Sequence, residues 1–358
     1  MCRLPQTVRR VRVITVKTLV VDDDEIILDM LEAMLESDGH EVRRASNGQQ
    51  ALDMLHEGDT KLVISDWVMP VVDGIELVRQ IRSSYTGSYI YTILLTSRSE
   101  AQDTIQGLSA GADDFLTKPF DAVELKLRVR TAERILSVET THLMIFALAN
   151  LAESRSPETG RHLERIRDYS RVLAAHIVML PEFAGKLSGD YVATIYHTSP
   201  LHDIGKVGIP DCVLLKPGRL SQSEFELMET HTLIAGETLS AALAEFPRVE
   251  YLRVAQRISL HHHEHYDGNG YPYGLAGRDI PLCARIVALA DVYDALTSQR
   301  VYKPAWSHQV ARSTIIESGG SHLDPVVVEA FLETEAQFVA IREQFSESTP
   351  RTEERLAA

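Results

Sequence analysis

Strand signals stop near residue 121 and everything beyond reads as helix, so no single fold class accommodates the whole chain. Before that point apolar strands alternate with amphipathic helices. Thr18-Leu19-Val20-Val21 is a buried strand, and Ile26 to Glu36 has helical spacing through Leu28, Leu31 and Leu35. The runs 61–65 and 91–95 repeat the strand signal, each followed by a polar turn. Such alternation implies a parallel sheet with function at the carboxyl ends of its strands. From Asp121 to about Glu153 the helical pattern has no Gly or Pro break, and long helical segments follow to about Gln344. For 358 residues, two cores are the natural expectation.

Composition excludes some functions. A formal charge of −15 argues against a DNA-binding surface, which needs a basic face. It leaves room for a small phosphorylated ligand, because bound metal ions supply positive charge locally. Cys2, Cys212 and Cys283 are widely spaced and form neither a CxxC pair nor a disulfide framework, which fits a reducing cytoplasm. The basic start (Arg9, Arg10, Arg12) lacks the apolar run of a signal peptide. No segment is expected to span a membrane, which takes roughly 18 to 20 apolar residues.

In the first half, Asp22-Asp23-Asp24 follows the first strand and Asp66 follows the run 61–65. Carboxylates converging at strand ends make a hard oxygen site suited to Mg²⁺. Thr96 ends the next strand and Lys118-Pro119 the last. The motifs VVDDD at 20–24, SDWVMPVVDG at 65–74, LLTS at 94–97 and GADDFLTKPF at 111–120 resemble a response-regulator receiver domain. That resemblance implies a doubly wound α/β fold with a parallel five-stranded sheet. It makes Asp66 the phosphoacceptor for a sensor histidine kinase, with Asp22, Asp23 and Asp66 holding Mg²⁺. Thr96 becomes the switch hydroxyl, Lys118 the phosphate contact and Phe115 the aromatic switch residue, often tyrosine in the family.

The second half is dense in metal-ligating side chains. His261-His262-His263-Glu264-His265 places four histidines in five residues, more than packing alone explains, since histidine is costly to bury without a partner. His202 and Asp203 are neighbours, which on a continuous helix would point about 100° apart. Glu158 and His162 lie four apart after Ser156-Pro157, an N-cap and N1 pair, so one helix face would carry both. His231 lies in a helical segment. Asp291 and Asp294 lie three apart on an otherwise apolar helix, where a carboxylate needs a partner. Gly268 to Pro272 reads as a flexible, turn-rich loop outside the core.

HDIGK at 202–206, THTLIAGE at 230–237, HHEHYDGNGYP at 262–272 and DVYDALTSQRVYK at 291–303 resemble the HD-GYP family of all-α, metal-dependent phosphodiesterases. The resemblance implies cyclic dinucleotides as substrates, cyclic di-GMP first. It makes Glu158, His162, His202, Asp203, His231, His262, His263 and Asp291 the metal ligands, for two ions or, with Glu158 present, three. Mixed imidazole and carboxylate sets suit iron or manganese, with zinc less expected. Asp203 and Lys206 are then the catalytic pair, and Lys206, Asp294, Arg300 and Lys303 contact the substrate. Gly270-Tyr271-Pro272 is implicated in contacts with diguanylate-cyclase (GGDEF-type) domains.

The expected organisation is a leader at 1–15, a receiver at 16–136, a linker helix at 137–153, the HD-GYP domain at 154–345 and a tail at 346–358. Apolar residues along the unbroken helical run from Asp121 to Glu153 (Leu125, Leu127, Ile135, Leu136, Leu143, Ile145, Leu148) suggest pairing in a homodimer, or packing on the chain's own cores. A non-catalytic adaptor acting through protein contacts is the alternative of another class. Hydrolysis of a different cyclic dinucleotide is the alternative within the same one.

Overall fold

The apolar tetrapeptide at 18–21 forms most of β1 (Lys17–Val21), which is buried from Thr18 onward in the computed structural model. Residues 15–84, 89–97, 106–107, 109–155, 161–298 and 305–346 are described. The chain divides into two compact units between His142 and Leu143.

In the first unit β1 is followed by α1 (Glu25–Ser37), β2 (Glu41–Ala45), α2 (Gly48–Glu57), β3 (Leu62–Asp66), α3 (Gly74–Ser84), β4 (Tyr91–Thr96) and β5 (Asp114–Thr117). All strand pairs are parallel, in the order β2-β1-β3-β4-β5. The central strands β1, β3 and β4 are largely buried because helices cover both faces. Alternation along each strand separates two cores. Val20, Ile64 and Ile93 pack with Leu28, Leu31 and Leu35 on one face, whereas Leu19, Val21 and Val63 pack with Leu55 and Leu77 on the other. Asp24 caps α1 by accepting a hydrogen bond from the Ile26 amide at 2.9 Å.

The long helix α4 (Ala122–Glu153) runs across the division. By length and composition it is apolar enough to cross a membrane, so the expectation that no segment qualifies does not hold on those two measures. Part of that surface packs within the two units. Leu125, Val129, Ala132 and Leu136 lie in the sheet unit's core, and Ile145, Phe146 and Ala149 pack within the helical unit. Only 137–144 lie between, against the roughly 20 residues a bilayer requires.

The second unit continues with α5 (His162–Ile177), α6 (Gly189–Thr198), two 3-10 turns (Ser199–Leu201 and Ile204–Gly208), α7 (Asp211–Leu214), α8 (Gln222–Glu245), α9 (Glu250–His261), α10 (Leu282–Thr297), α11 (His308–Glu317) and α12 (Pro325–Ser346). Its core is aromatic: Tyr169 stacks on Phe338 at 4.6 Å, and Tyr293 meets both edge-on at 5.2 and 5.1 Å. A capping box between Ser221 and Glu224 starts α8. Two glycines set helix spacing at the site. A Cβ on Gly205 would lie 1.9 Å from the His231 carbonyl oxygen, and one on Gly236 would meet Leu260 at 2.2 Å.

Candidate metal centre and phosphoacceptor site

Strand register brings the receiver residues level. Val21 pairs with Ser65 and Asp66 with Leu95, so the carboxyl ends of β1, β3 and β4 open on one edge. There Asp22, Asp23 and Asp66 offer carboxylate oxygens within 4.8 Å of one another. Lys118 Nζ lies 2.7 Å from both Asp22 Oδ2 and Asp66 Oδ1. Burial pushes the Asp22 carboxyl up, and Lys118 opposes that. Burial would lower Lys118, yet the two carboxylates hold it above its ordinary value. The ammonium therefore stays charged between the two carboxylates. Thr96 is buried at the end of β4. Phe115 is half-buried with its ring 6.3 Å from Trp67, and a Cβ on Gly107 would clash with that ring.

In the helical unit the site is assembled around Asp203. The His202–Asp203 step is not helical: His202 closes one 3-10 turn and Asp203, at φ −103° and ψ 11°, opens the next. That break replaces the divergence expected on a continuous helix. His202 Nε2 lies 3.2 Å from Asp203 Oδ2, while His231 Nε2 and His262 Nε2 lie 3.2 and 3.6 Å from Oδ1. Asp203, His231, His262 and His263 form one group of ligand atoms within 4.8 Å, and His162, His202 and Asp291 form a second.

The tautomers follow from the backbone. Nδ1 of His202, His231 and His262 contacts the carbonyl oxygens of Ser199 (2.9 Å), Met228 (2.7 Å) and Ile258 (3.1 Å). A carbonyl only accepts, so each Nδ1 carries the proton and each Nε2 presents a lone pair. Those three Nε2 atoms and Asp203 Oδ1 are buried and make no hydrogen bond. Lone pairs buried around one carboxylate are costly unless a cation takes them. The residues thus fit a cluster of divalent metal ions.

Charge favours the same occupant. Burial pushes the His263 imidazole far down, helped by His262 and His231, and burial also lowers His262. Burial opposes ionisation of Asp203, yet Lys206, at 2.6 Å, and His202 hold its carboxyl well below the usual range. Burial works against charge on His202, but Asp203 beside it holds its pKa up to about 10, so without a cation a proton takes the Nε2 position that an ion would claim.

Asp294, expected to contact substrate, is 2% exposed and engaged with His162 and Arg165. Oδ2 meets His162 Nδ1 at 2.7 Å, and Arg165 donates to both oxygens at 2.6 and 3.0 Å. Burial raises its pKa, but His162 and Arg165 prevail and bring it to about 2. The carboxylate thus orients the His162 imidazole, and both of its oxygens are engaged by buried partners. α5 begins at His162, preceded by Arg161 at φ +69°. Glu158, Arg300 and Lys303 lie outside the described residues.

The loop read as flexible is pinned. Glu264, 2% exposed, accepts the amides of Tyr273 and Leu275 at 2.9 Å each, and the Tyr271 ring stacks on His263 at 4.8 Å. Sequence reasoning passed over Glu264, Arg165 and Arg155. The spacing of Arg165, three residues after His162 on one helix, was the available signal for a shared partner.

Residues 18–130 match the response regulator receiver domain family, and residues 147–327 match the HD domain family. A probable cyclic di-GMP phosphodiesterase of Vibrio cholerae is 39% identical over 92% of this chain and 80% of its own length. The chain belongs to the response regulators that join a receiver to an HD-GYP domain. A cyclic di-GMP phosphodiesterase response regulator of Xanthomonas campestris is 36% identical over 93% of this chain and 91% of its own. A 3'3'-cGAMP-specific phosphodiesterase of Vibrio cholerae is 40% identical over 57% of this chain and 37% of its own. The HD-GYP domain is a metal-dependent hydrolase, and the receiver is a magnesium-binding domain served by a phosphodonor such as a histidine kinase.

Proposed function

We propose that this protein hydrolyses cyclic di-GMP to pGpG or GMP under control of phosphorylation at Asp66. The carrying observation is the convergence on Asp203 of three imidazoles whose Nδ1 protons are committed to main-chain carbonyls, with Lys206 on the same carboxylate. His162, His202, Asp203, His231, His262, His263 and Asp291, joined by Glu158, would hold two or three ions, iron or manganese in preference. When bound, these ions lower the pKa of water and polarise a phosphodiester. Lys206 offsets charge on the scissile phosphate or protonates the leaving oxygen, and Arg300 and Lys303 take the outer phosphate oxygens. Tyr271 supports the His263 ring from behind.

In the receiver, the Asp66 carboxylate takes the phosphoryl group from a histidine kinase as an acyl phosphate, with Mg²⁺ on Asp22, Asp23 and Asp66. Lys118 and Thr96 hold the phosphoryl oxygens, and Phe115 reports through its rotamer. We assign residues 16–136 to the receiver, 137–153 to the linker helix and 154–345 to the HD-GYP domain. Leu127, Leu143 and Leu148 are more than half exposed on α4, and this stripe favours a homodimer. A cytoplasmic setting and a GGDEF-type partner at the Gly270-Tyr271-Pro272 loop complete the reading.

The test is product analysis on purified protein reconstituted anaerobically with Fe²⁺ or Mn²⁺. Cyclic di-GMP and cyclic GMP-AMP are supplied side by side. Linear pGpG or GMP supports the reading, and an inert protein with full metal content favours the adaptor. Preferential cleavage of cyclic GMP-AMP favours the second reading, which the likeness to the cGAMP-specific relative motivates.

A further inference from the structure

The last turn of α4 brackets the segment that carries the reactive pair. On one side Ala149, with Ile145 and Phe146, packs against Leu201, the residue before His202. On the other, Ser154 prolongs the helix by donating its amide to the Asn150 carbonyl at 2.9 Å, and Arg155 follows at once. Its guanidinium donates to the Val207 carbonyl at 2.5 Å and the Ile209 carbonyl at 3.3 Å, and pairs with Asp211. These carbonyls lie at the carboxyl end of the 3-10 turn Ile204–Gly208, which is capped by Asp203 and carries Lys206 as its third residue. A cation there satisfies carbonyls that so short a turn leaves without amide partners.

The turn is held from the other side as well. Gly205 comes so close to α8 that any side chain would strike the His231 carbonyl. The Lys206 stem is thus set between a rigid contact with α8 and the Arg155 fork. The exposed Arg155–Asp211 pair contributes little by itself; the two carbonyl bonds give the geometry.

We propose that Arg155 is a positioning residue for Lys206: it fixes the Ile204–Gly208 turn to the end of the linker helix. The inference rests on the reading of Lys206 as the group that meets the phosphate. It also gives the end of α4 a direct hold on the turn that carries that group.

The test uses the full-length protein loaded with Mn²⁺, turning over the activated diester bis(p-nitrophenyl) phosphate. Arg155→Ala is expected to lower kcat roughly tenfold, with KM within about twofold. Bound metal should be unchanged, and Arg155→Lys should recover part of the rate. Arg155→Ala in a Lys206→Met background should slow the reaction no further, because both changes remove the same contribution. Hydrogen exchange at the amides of residues 206–209 should quicken in Arg155→Ala. Effects that multiply in the double variant, loss of metal in Arg155→Ala, or unaltered exchange would each overturn the proposal. If Lys206→Met alone leaves the rate intact, the role given to Lys206 fails. The exchange measurement still decides whether Arg155 holds the turn. Should Arg155→Ala not fold, Arg155→Gln carries the same comparisons.

Discussion

Replacing Asp294 by alanine separates a buried strut from a substrate contact. The carboxylate is 2% exposed and joins two partners that are buried themselves, His162 at 4% and Arg165 at 8%. Its removal strands the Arg165 guanidinium without a counter-charge, a loss that typically costs about 3 to 5 kcal/mol. It also frees His162 Nδ1 from the 2.7 Å contact that sets the ring's orientation. Losing such a partner typically weakens metal binding by about ten- to a hundredfold. Urea unfolding, combined with metal titration of the folded protein, reads both quantities. Acid provides a second readout. A carboxyl held at about 2 against an ordinary 3.8 stabilises the fold by about 2 kcal/mol. Because the folded value is the lower one, that contribution is complete above pH 4 and disappears as pH falls toward 2. The wild type should therefore lose stability across that window more steeply than Asp294→Ala. A variant as stable as wild type, with unchanged metal affinity and only a raised KM, would refute the strut and restore the substrate contact.

Asp203→Ala should abolish hydrolysis and lower bound metal while helical circular dichroism stays constant, since it removes the carboxylate on which three imidazoles converge. Retained metal and turnover would contradict the assigned centre. Asp66→Asn should not accept phosphate from a small acyl-phosphate donor that labels the wild type, because an amide oxygen is a far weaker nucleophile; equal labelling would place the acceptor elsewhere. If Glu158 recruits a third ion, Glu158→Ala should reduce metal content by about one per chain, as read by elemental analysis against protein concentration. An identical ratio would favour a two-ion centre. Inserting residues after Ala132 changes the phase of α4 without touching either site. It should disturb phosphorylation control and dimer mass in sedimentation, and unaltered control in a monomer would exclude pairing through the helix.

Much of the sheet unit was legible in the amino-acid order because its chemistry sits where strands end. Uninterrupted apolar runs such as 18–21 mark buried parallel strands, and the acids after them mark the site edge. β2 escaped notice because it is an edge strand: Glu41-Val42-Arg43-Arg44-Ala45 is largely half-exposed, and its arginines give no apolar run. In the helical unit the sequence named the kinds of ligand, since histidines in such density have few other uses. It could not say that His202 and Asp203 converge, because that depends on a break between two 3-10 turns and not on helical phase. Tautomers were equally hidden, being set by the main-chain carbonyls of Ser199, Met228 and Ile258, each one turn back along the chain from its histidine. Only the fold separates Asp291 from Asp294, two acids on one helix. A rotation of three residues turns one toward the other ligands and buries the second between a ligand imidazole and an arginine. Residue type and spacing determine which atoms can bind an ion, whereas burial and the partners supplied by distant elements decide which of them do.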